Sequence, residues 1–299
     1  MTDPAAPTDT AARGPGAEAW RALRSRPVFW VCAAVIVVLL AMAFFPSWFT
    51  STDPRFAVQT ASGARPSAAD PFGRDLQGRD VYARTVYGAA PSLAVGLLAT
   101  LGTVLVGSVA GLVGGYAGGW LDSLLSRFGE IFAGLPFVLG AIVILTTFNP
   151  PGRTVGGLRL VAQVVATIVV LSWPVAMRIM RAAAISVRQQ DYVRAARALG
   201  AGPVRIMLRH VLPNTLAPVL VYATIALGGF VGAEATLSFL GIGLRDPVVS
   251  WGVMIAEARD RVAQIPHALL FPAAFLVVTV LAFVMLGDAL RDALDPRGR

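Results

Sequence analysis

The sequence predicts an all-α polytopic membrane protein with six transmembrane helices, and three observations carry that prediction. Hydrophobic residues make up 56% of the 299 residues and charged residues only 14%, a balance foreign to soluble globular domains. The mean hydropathy is +0.68, and apolar runs close to the ~20 residues needed to cross a bilayer recur along the chain. The third observation is where the charge lies. All 25 basic residues are Arg, and they occupy the gaps between the apolar runs.

The net charge of +8 does not mark a nucleic-acid binder, because the arginines follow membrane topology and are not interleaved with stacking aromatics. With no Lys anywhere, the chain holds no phosphate-binding P-loop, so any ATP hydrolysis belongs to another polypeptide. The single Cys32 excludes a disulfide framework and a thiolate metal cluster. His210 and His267 fall in loops on opposite sides of the membrane, without a nucleophile–base constellation, which speaks against an enzyme.

In chain order, residues 1–27 lack apolar periodicity and read as a flexible cytoplasmic tail. Residues 28–46 form the first span. Ala41-Met42-Ala43 imitates a signal-peptide cleavage site, but the apolar run exceeds a usual signal core, which favours an uncleaved helix. Residues 47–88 make a long extracytoplasmic loop whose Gly73 and Gly78 suggest tight turns and whose Arg79 and Asp80 are candidates for local pairing. The core, 89–288, holds five further spans at about 90–116, 131–148, 158–177, 216–240 and 268–287. Glycines at near-helical spacing in the second span allow close helix approach. Arg127 and Glu130, ahead of the third, read as an interfacial ion pair, and residues 289–299 are a polar tail. With six spans, 15 arginines lie on the side of both termini and 10 on the other, which places the termini in the cytoplasm.

The segment 177–214 interrupts this pattern with seven arginines and one acid, Asp191. Its apolar residues are nevertheless ordered. Tyr192, Ala195, Ala196 and Leu199 fall at i, i+3, i+4 and i+7, and Val204, Met207, Leu208 and Val211 repeat the spacing. Gly200 is placed to stop the first helix and Pro203 to start the second, while Pro213 is expected to end it. A solvated loop has no use for two apolar stripes. A docking hairpin does.

Arg194-Ala195-Ala196, Gly200 and Val211-Leu212-Pro213 resemble the EAA loop of ABC-importer permeases, with Arg194 in place of its Glu and Val211 in place of its Ile. The wider run with Tyr192, His210 and Asn214 resembles the dipeptide/oligopeptide/nickel permeases, specifically the subunit type with a short N-terminal tail. Three more stretches agree: Phe72-Gly73 with Gly78-Arg79-Asp80-Val81; Leu237-Ser238-Phe239-Leu240-Gly241-Ile242-Gly243 with Ser250-Trp251-Gly252; and Leu286-Gly287-Asp288 through Asp295-Pro296. Asp70 and Arg74 depart from the His and Thr common there.

The resemblance implies a type I ABC-importer permease fold in the bacterial cytoplasmic membrane, with a cytoplasmic EAA coupling loop. It implies a permease subunit translocating peptides or a related small solute. Tyr192, Ala195, Ala196, Leu199, Gly200, Val204, Leu208, Leu212 and Pro213 would then dock to an ATP-binding subunit. The partners implied are a homologous second permease, two ABC ATPases and an extracytoplasmic substrate-binding protein, besides membrane lipid. No cofactor is expected on this chain, since ATP and Mg belong to the ATPases.

Glu234 is the one acid well inside a span, which makes it a functional candidate. It either lines the path and meets a peptide's amino terminus or makes a structural hydrogen bond near the outer end of span five. Trp251, in the following loop, is a candidate outer gate. The competing function is an ion-coupled secondary transporter, which calls for inverted repeats and mid-membrane carboxylates that the sequence does not display.

Overall fold

The computed structural model describes residues 15–148 and 155–294, with side chains from Trp20 onward. The expected features at residues 1–14, at Arg153 and at Asp295-Pro296 lie outside the described residues. All regular elements are helical: α1 (Pro15–Arg24), α2 (Pro27–Phe44), α3 (Val81–Ala117), α4 (Gly119–Ala133), α5 (Phe137–Phe148), α6 (Gly157–Val187), α7 (Asp191–Ala198), α8 (Pro203–Phe239), α9 (Trp251–Ala258) and α10 (Pro266–Leu294). Among the described residues the only β pairing is two isolated bridges, Ala57–Arg79 and Arg74–Asp80.

Five helices, α2, α3, α6, α8 and α10, are long and apolar enough to cross a membrane, and a sixth span exists if α4 and α5 count as one bent unit. That unit stands where a single third span is expected at 131–148. Its two helices meet at 86°. Pro136 has no amide to continue the ladder of α4, and the new helix begins only after it. The 12 residues of α5 rise only about 18 Å, short of a bilayer core.

Helices α3, α6, α8 and α10 outrun their apolar stretches, whereas α2 stops at Phe44, short of the expected 46. Helix α3 starts at Val81 because the Asp80 carboxylate accepts the amides of Tyr82 and Ala83, a side-chain N-cap. Helix α6 continues past Met177 to Val187, and α10 runs to Leu294. The largest contact within the bundle is between α3 and α6. Its basis is the glycine row Gly107, Gly111, Gly115, four residues apart. A Cβ at Gly111 would stand 2.4 Å from the Met177 carbonyl oxygen, so the two backbones touch where side chains would separate them.

At the cytoplasm-expected end, part of the stretch read as a tail is ordered. Helix α1 buries Leu23 against Ala289 and Ala293 of α10, and Arg26 pairs with Asp292 at 2.6 Å. At the other end the 45–80 segment folds back on α9 and α10. Phe72 stacks on Phe271 with 3.9 Å between centroids, and Gly73 and Gly78 take φ of 72° and 76°. Asp70 and Arg74, the two departures from the family pattern, pair bidentately with each other at 2.8 and 2.9 Å. Arg79 pairs with Asp75 and Glu257, leaving Asp80 to its capping role. The nearly buried Arg84 bridges the same two acids at 2.6 and 2.8 Å, so one charge cluster ties the loop, α3 and α9 together.

Candidate docking hairpin and the buried carboxylate

The α6–α8 connection is a compact hairpin whose geometry follows from its sequence. Helix α7 ends in a Schellman motif: the Gly200 amide donates to the Arg197 carbonyl and the Ala201 amide to the Ala196 carbonyl. The motif needs a left-handed residue after the cap, and Gly200 supplies it with φ of 82°. Pro203 then opens α8 at its first position, where no amide is required.

Pro213 does not end that helix, contrary to expectation. Residues 207–211 form a π turn, and the Leu212 amide donates to the Met207 carbonyl, five residues back. The widened turn accommodates the missing donor of Pro213, so α8 continues to Phe239. The hairpin is therefore joined without a break to a membrane span.

The apolar residues of the hairpin divide into an inner and an outer set. Val193, Ile206 and Val211 are buried with Leu112 of α3, Met180 and Ala184 of α6, and Val219 of α8. Of the sequence candidates, Tyr192 (45% exposed), Leu199 (89%), Val204 (60%) and Leu208 (57%) present large apolar groups outward. Ala195 and Pro213 are also exposed, and Ala196 and Leu212 half-buried. Val193 and Ile206, which hold the hairpin to the bundle, were missed because they lie off the two stripes. Val211, placed on a stripe, instead faces inward.

Glu234 and Trp251 meet in a different place, where the end of α8, the start of α9 and α3 converge. Both have no exposed surface. The Glu234 carboxylate accepts hydrogen bonds from the hydroxyls of Ser238 (2.7 Å), Ser250 (2.9 Å) and Ser92 (3.3 Å). Each serine oxygen in turn accepts a backbone amide: Leu244 on Ser238, Val253 on Ser250 and Trp251 on Ser92. The Trp251 indole donates to the Thr85 carbonyl at 2.9 Å. The arrangement is an internal brace between α3 and the C-terminal end of α8. A crevice of about 730 Å³ does open nearby, lined by Asp53, Arg55, Tyr87, Pro91 and Pro247, but neither Glu234 nor Trp251 borders it. No sequence pattern pointed to that crevice, since its walls come from four distant segments.

Residues 103–299 match the family model described as "Binding-protein-dependent transport system inner membrane component". Residues 14–69 match "N-terminal TM domain of oligopeptide transport permease C". The chain is 35% identical to the dipeptide transport system permease protein DppC of Alkalihalophilus pseudofirmus, over 95% of this chain and 90% of that protein. It is 34% identical to the glutathione transport system permease protein GsiD of Escherichia coli O6:K15:H31, over 95% and 91%. Among solved structures, the inward-facing MetNI methionine ABC transporter is similar with a TM-score of 0.57 at 20% identity, covering 71% of this chain and 96% of that one. That likeness speaks to the fold, and it is the fold expected from the EAA-like segment. The ion-coupled alternative finds no support in these relatives.

Proposed function

The chain belongs to the family of binding-protein-dependent transport system inner membrane components, and from that premise we propose that it moves short peptides inward through ATPase subunits docked on its hairpin. It is a multi-pass permease subunit of an ABC importer and carries no ATPase of its own. The cargo reading is supported by the curated relatives, whose names specify dipeptide and glutathione, both small peptides with free charged ends.

The observation that carries the docking reading is the outward apolar face of Tyr192, Leu199, Val204 and Leu208 on an Arg-rich element outside the bundle. Such a face, shaped as a helical hairpin, suits insertion into a groove on a partner. The Arg distribution supports a cytoplasmic position for this hairpin and for both termini. A single chain with five or six membrane-length helices encloses little path by itself. We therefore assign a homologous second permease, two ABC ATPases and an extracytoplasmic substrate-binding protein as partners. Closure of the ATPases on ATP would rock the helices between inward- and outward-facing states through the hairpin.

Affinity purification of the tagged chain from native membranes in mild detergent tests this. Wild type is expected to bring down a second permease and P-loop ATPases. Gly200→Val, which forces a β-branched residue into the left-handed region, should reach the membrane at normal levels and lose the ATPases. Equal ATPase recovery with Gly200→Val would count against the hairpin as the docking element.

A further inference from the structure

We infer that Arg181, Arg188 and Arg197 form a bracket that joins the hairpin to the α3–α4 corner as one rigid body, with Arg188 as its central positioning residue. The inference rests on the hairpin being the surface on which ATPases dock.

The seven arginines of the 177–214 segment divide by what they touch. Arg194 makes only a loose, exposed pair with Asp191 at 3.7 Å. Arg181, Arg188 and Arg197 instead reach residues 115–122, the first two half-buried and Arg197 from the exposed face of α7. Arg181 grips the Asp122 carboxylate in the first turn of α4 with Nε and Nη2, the latter at 2.6 Å. Arg188 stands just past α6, and its Nη1 donates to the carbonyl oxygens of Gly115 (2.9 Å) and Tyr116 (3.1 Å). Those carbonyls lie in the last turn of α3, where a helix leaves its acceptors without partners. The Gly114 carbonyl takes the Gly118 amide, so Arg188 completes the cap, and its charge sits favourably at the negative end of the helix. Arg197, on α7, places its guanidinium 6.0 Å from the centre of the Tyr116 ring.

Arg181 on α6, Arg188 in the turn after it and Arg197 on α7 thus converge on one corner, and backbone contact stiffens the joint. A Cβ at Gly115 would fall 2.8 Å from the Arg181 carbonyl oxygen. Between α6 and α7 lies only the turn at 188–190. Left to itself, that turn is a hinge that would absorb movement of the hairpin. Arg188, within that turn, pins it to the end of α3. Motion imposed on α7 is handed to the end of α3 through the pinned turn and the Arg197–Tyr116 contact, and from α6 to α4 through the charge-assisted Arg181–Asp122 pair. α3, the longest of these helices with α8, reaches the outer face, where Asp80 and Arg84 anchor the extracytoplasmic loop.

The test uses the assembled complex in nanodiscs, with Cys32 replaced by Ala and nitroxide labels at Asp191→Cys on the hairpin and Ser123→Cys on α4. Label distances are compared between the nucleotide-free and the ATP–vanadate-trapped states. Wild type is expected to show one narrow distance, the same in both states. Arg188→Ala should broaden it and make it state-dependent while ATPases copurify normally, and Arg188→Lys, which keeps one donor on the carbonyls, should lie between. Stimulation of ATP hydrolysis by the binding protein should fall about tenfold in Arg188→Ala, within the range of site-to-site coupling. A merely structural defect would instead lower membrane level and ATPase recovery together. A wild-type distance that changes on trapping, or an Arg188→Ala variant with unaltered distance and stimulation, would overturn the bracket. Failure of wild type to retain ATPases would instead overturn the docking reading, and the bracket with it.

Discussion

Leu199→Asp should abolish recovery of ATPase subunits with the permease while leaving the permease itself folded and membrane-inserted. The Leu199 side chain is 89% exposed, so its replacement removes almost no packing within the chain. An aspartate there would have to be desolvated in an apolar groove, opposite whatever surface now receives a leucine. Central apolar anchors of an interface typically carry on the order of 2 kcal/mol or more, which is about thirtyfold in affinity. The buried charge adds to that loss. Val193→Asp is the informative contrast. Val193 has no exposed surface and anchors the hairpin, so its replacement should destroy the fold locally and lower membrane levels. Pull-down of ATPases normalised to permease separates the two. Normal ATPase recovery with Leu199→Asp would mean that the outward stripe docks nothing.

Glu234→Leu is expected to have the second large effect, on stability. The carboxylate is the acceptor that fixes the direction of three hydroxyl hydrogens, which leaves the serine oxygens free to accept three backbone amides. Leucine would orphan Ser92, Ser238 and Ser250 at once in a site without water access. Each unsatisfied buried group costs about 1–3 kcal/mol, so the total is on the order of 3–5 kcal/mol even if one serine finds a new partner. Glu234→Gln keeps one acceptor oxygen but offers a competing donor, and should cost about 1–2 kcal/mol. Thermal unfolding in detergent should therefore rank wild type, Gln and Leu in descending order, with little folded Leu variant recovered. A Leu variant melting within a degree or two of wild type would show that the brace contributes nothing. Preserved folding with lost uptake in Glu234→Gln would restore the reading of Glu234 as a path residue.

The spans were legible because burial in lipid demands long apolar runs, and hydropathy counts those directly. Their limits were not, since a helix continues wherever its hydrogen bonds and side chains are satisfied. Residues 178–187 read as loop because of Arg178 and Arg181. Yet α6 persists there, and Asp122, 59 positions away, satisfies Arg181. Pro213 read as a terminator because a proline's cost is local, while its remedy is the preceding π turn, which leaves no signature in composition. Pro136 is the opposite case. It lies inside the stretch expected as the third span, but nothing local tells a bend from the 86° break that results. Gly200 was readable as a helix stop because one residue type suits that backbone. Glu234 stood out as the lone acid of its span, but its partners are scattered over 92, 238 and 250, and only the tertiary fold assembles them. The same limit hid the two roles of the arginines. Their distribution places them all on one side of the membrane, and only contacts separate Arg181, which grips Asp122, and Arg188, which caps α3, from the exposed remainder.

Reconstitution of the purified chain into proteoliposomes, with and without its copurifying permease, ATPases and binding protein, tests ATP-driven import directly. Labelled dipeptide and labelled glutathione are supplied in parallel outside, and ATP or an ion gradient is imposed. Uptake of at least one of the two is expected only with the full set of partners and ATP. Uptake by the lone chain under an ion gradient, without ATP, would contradict ATP-driven import.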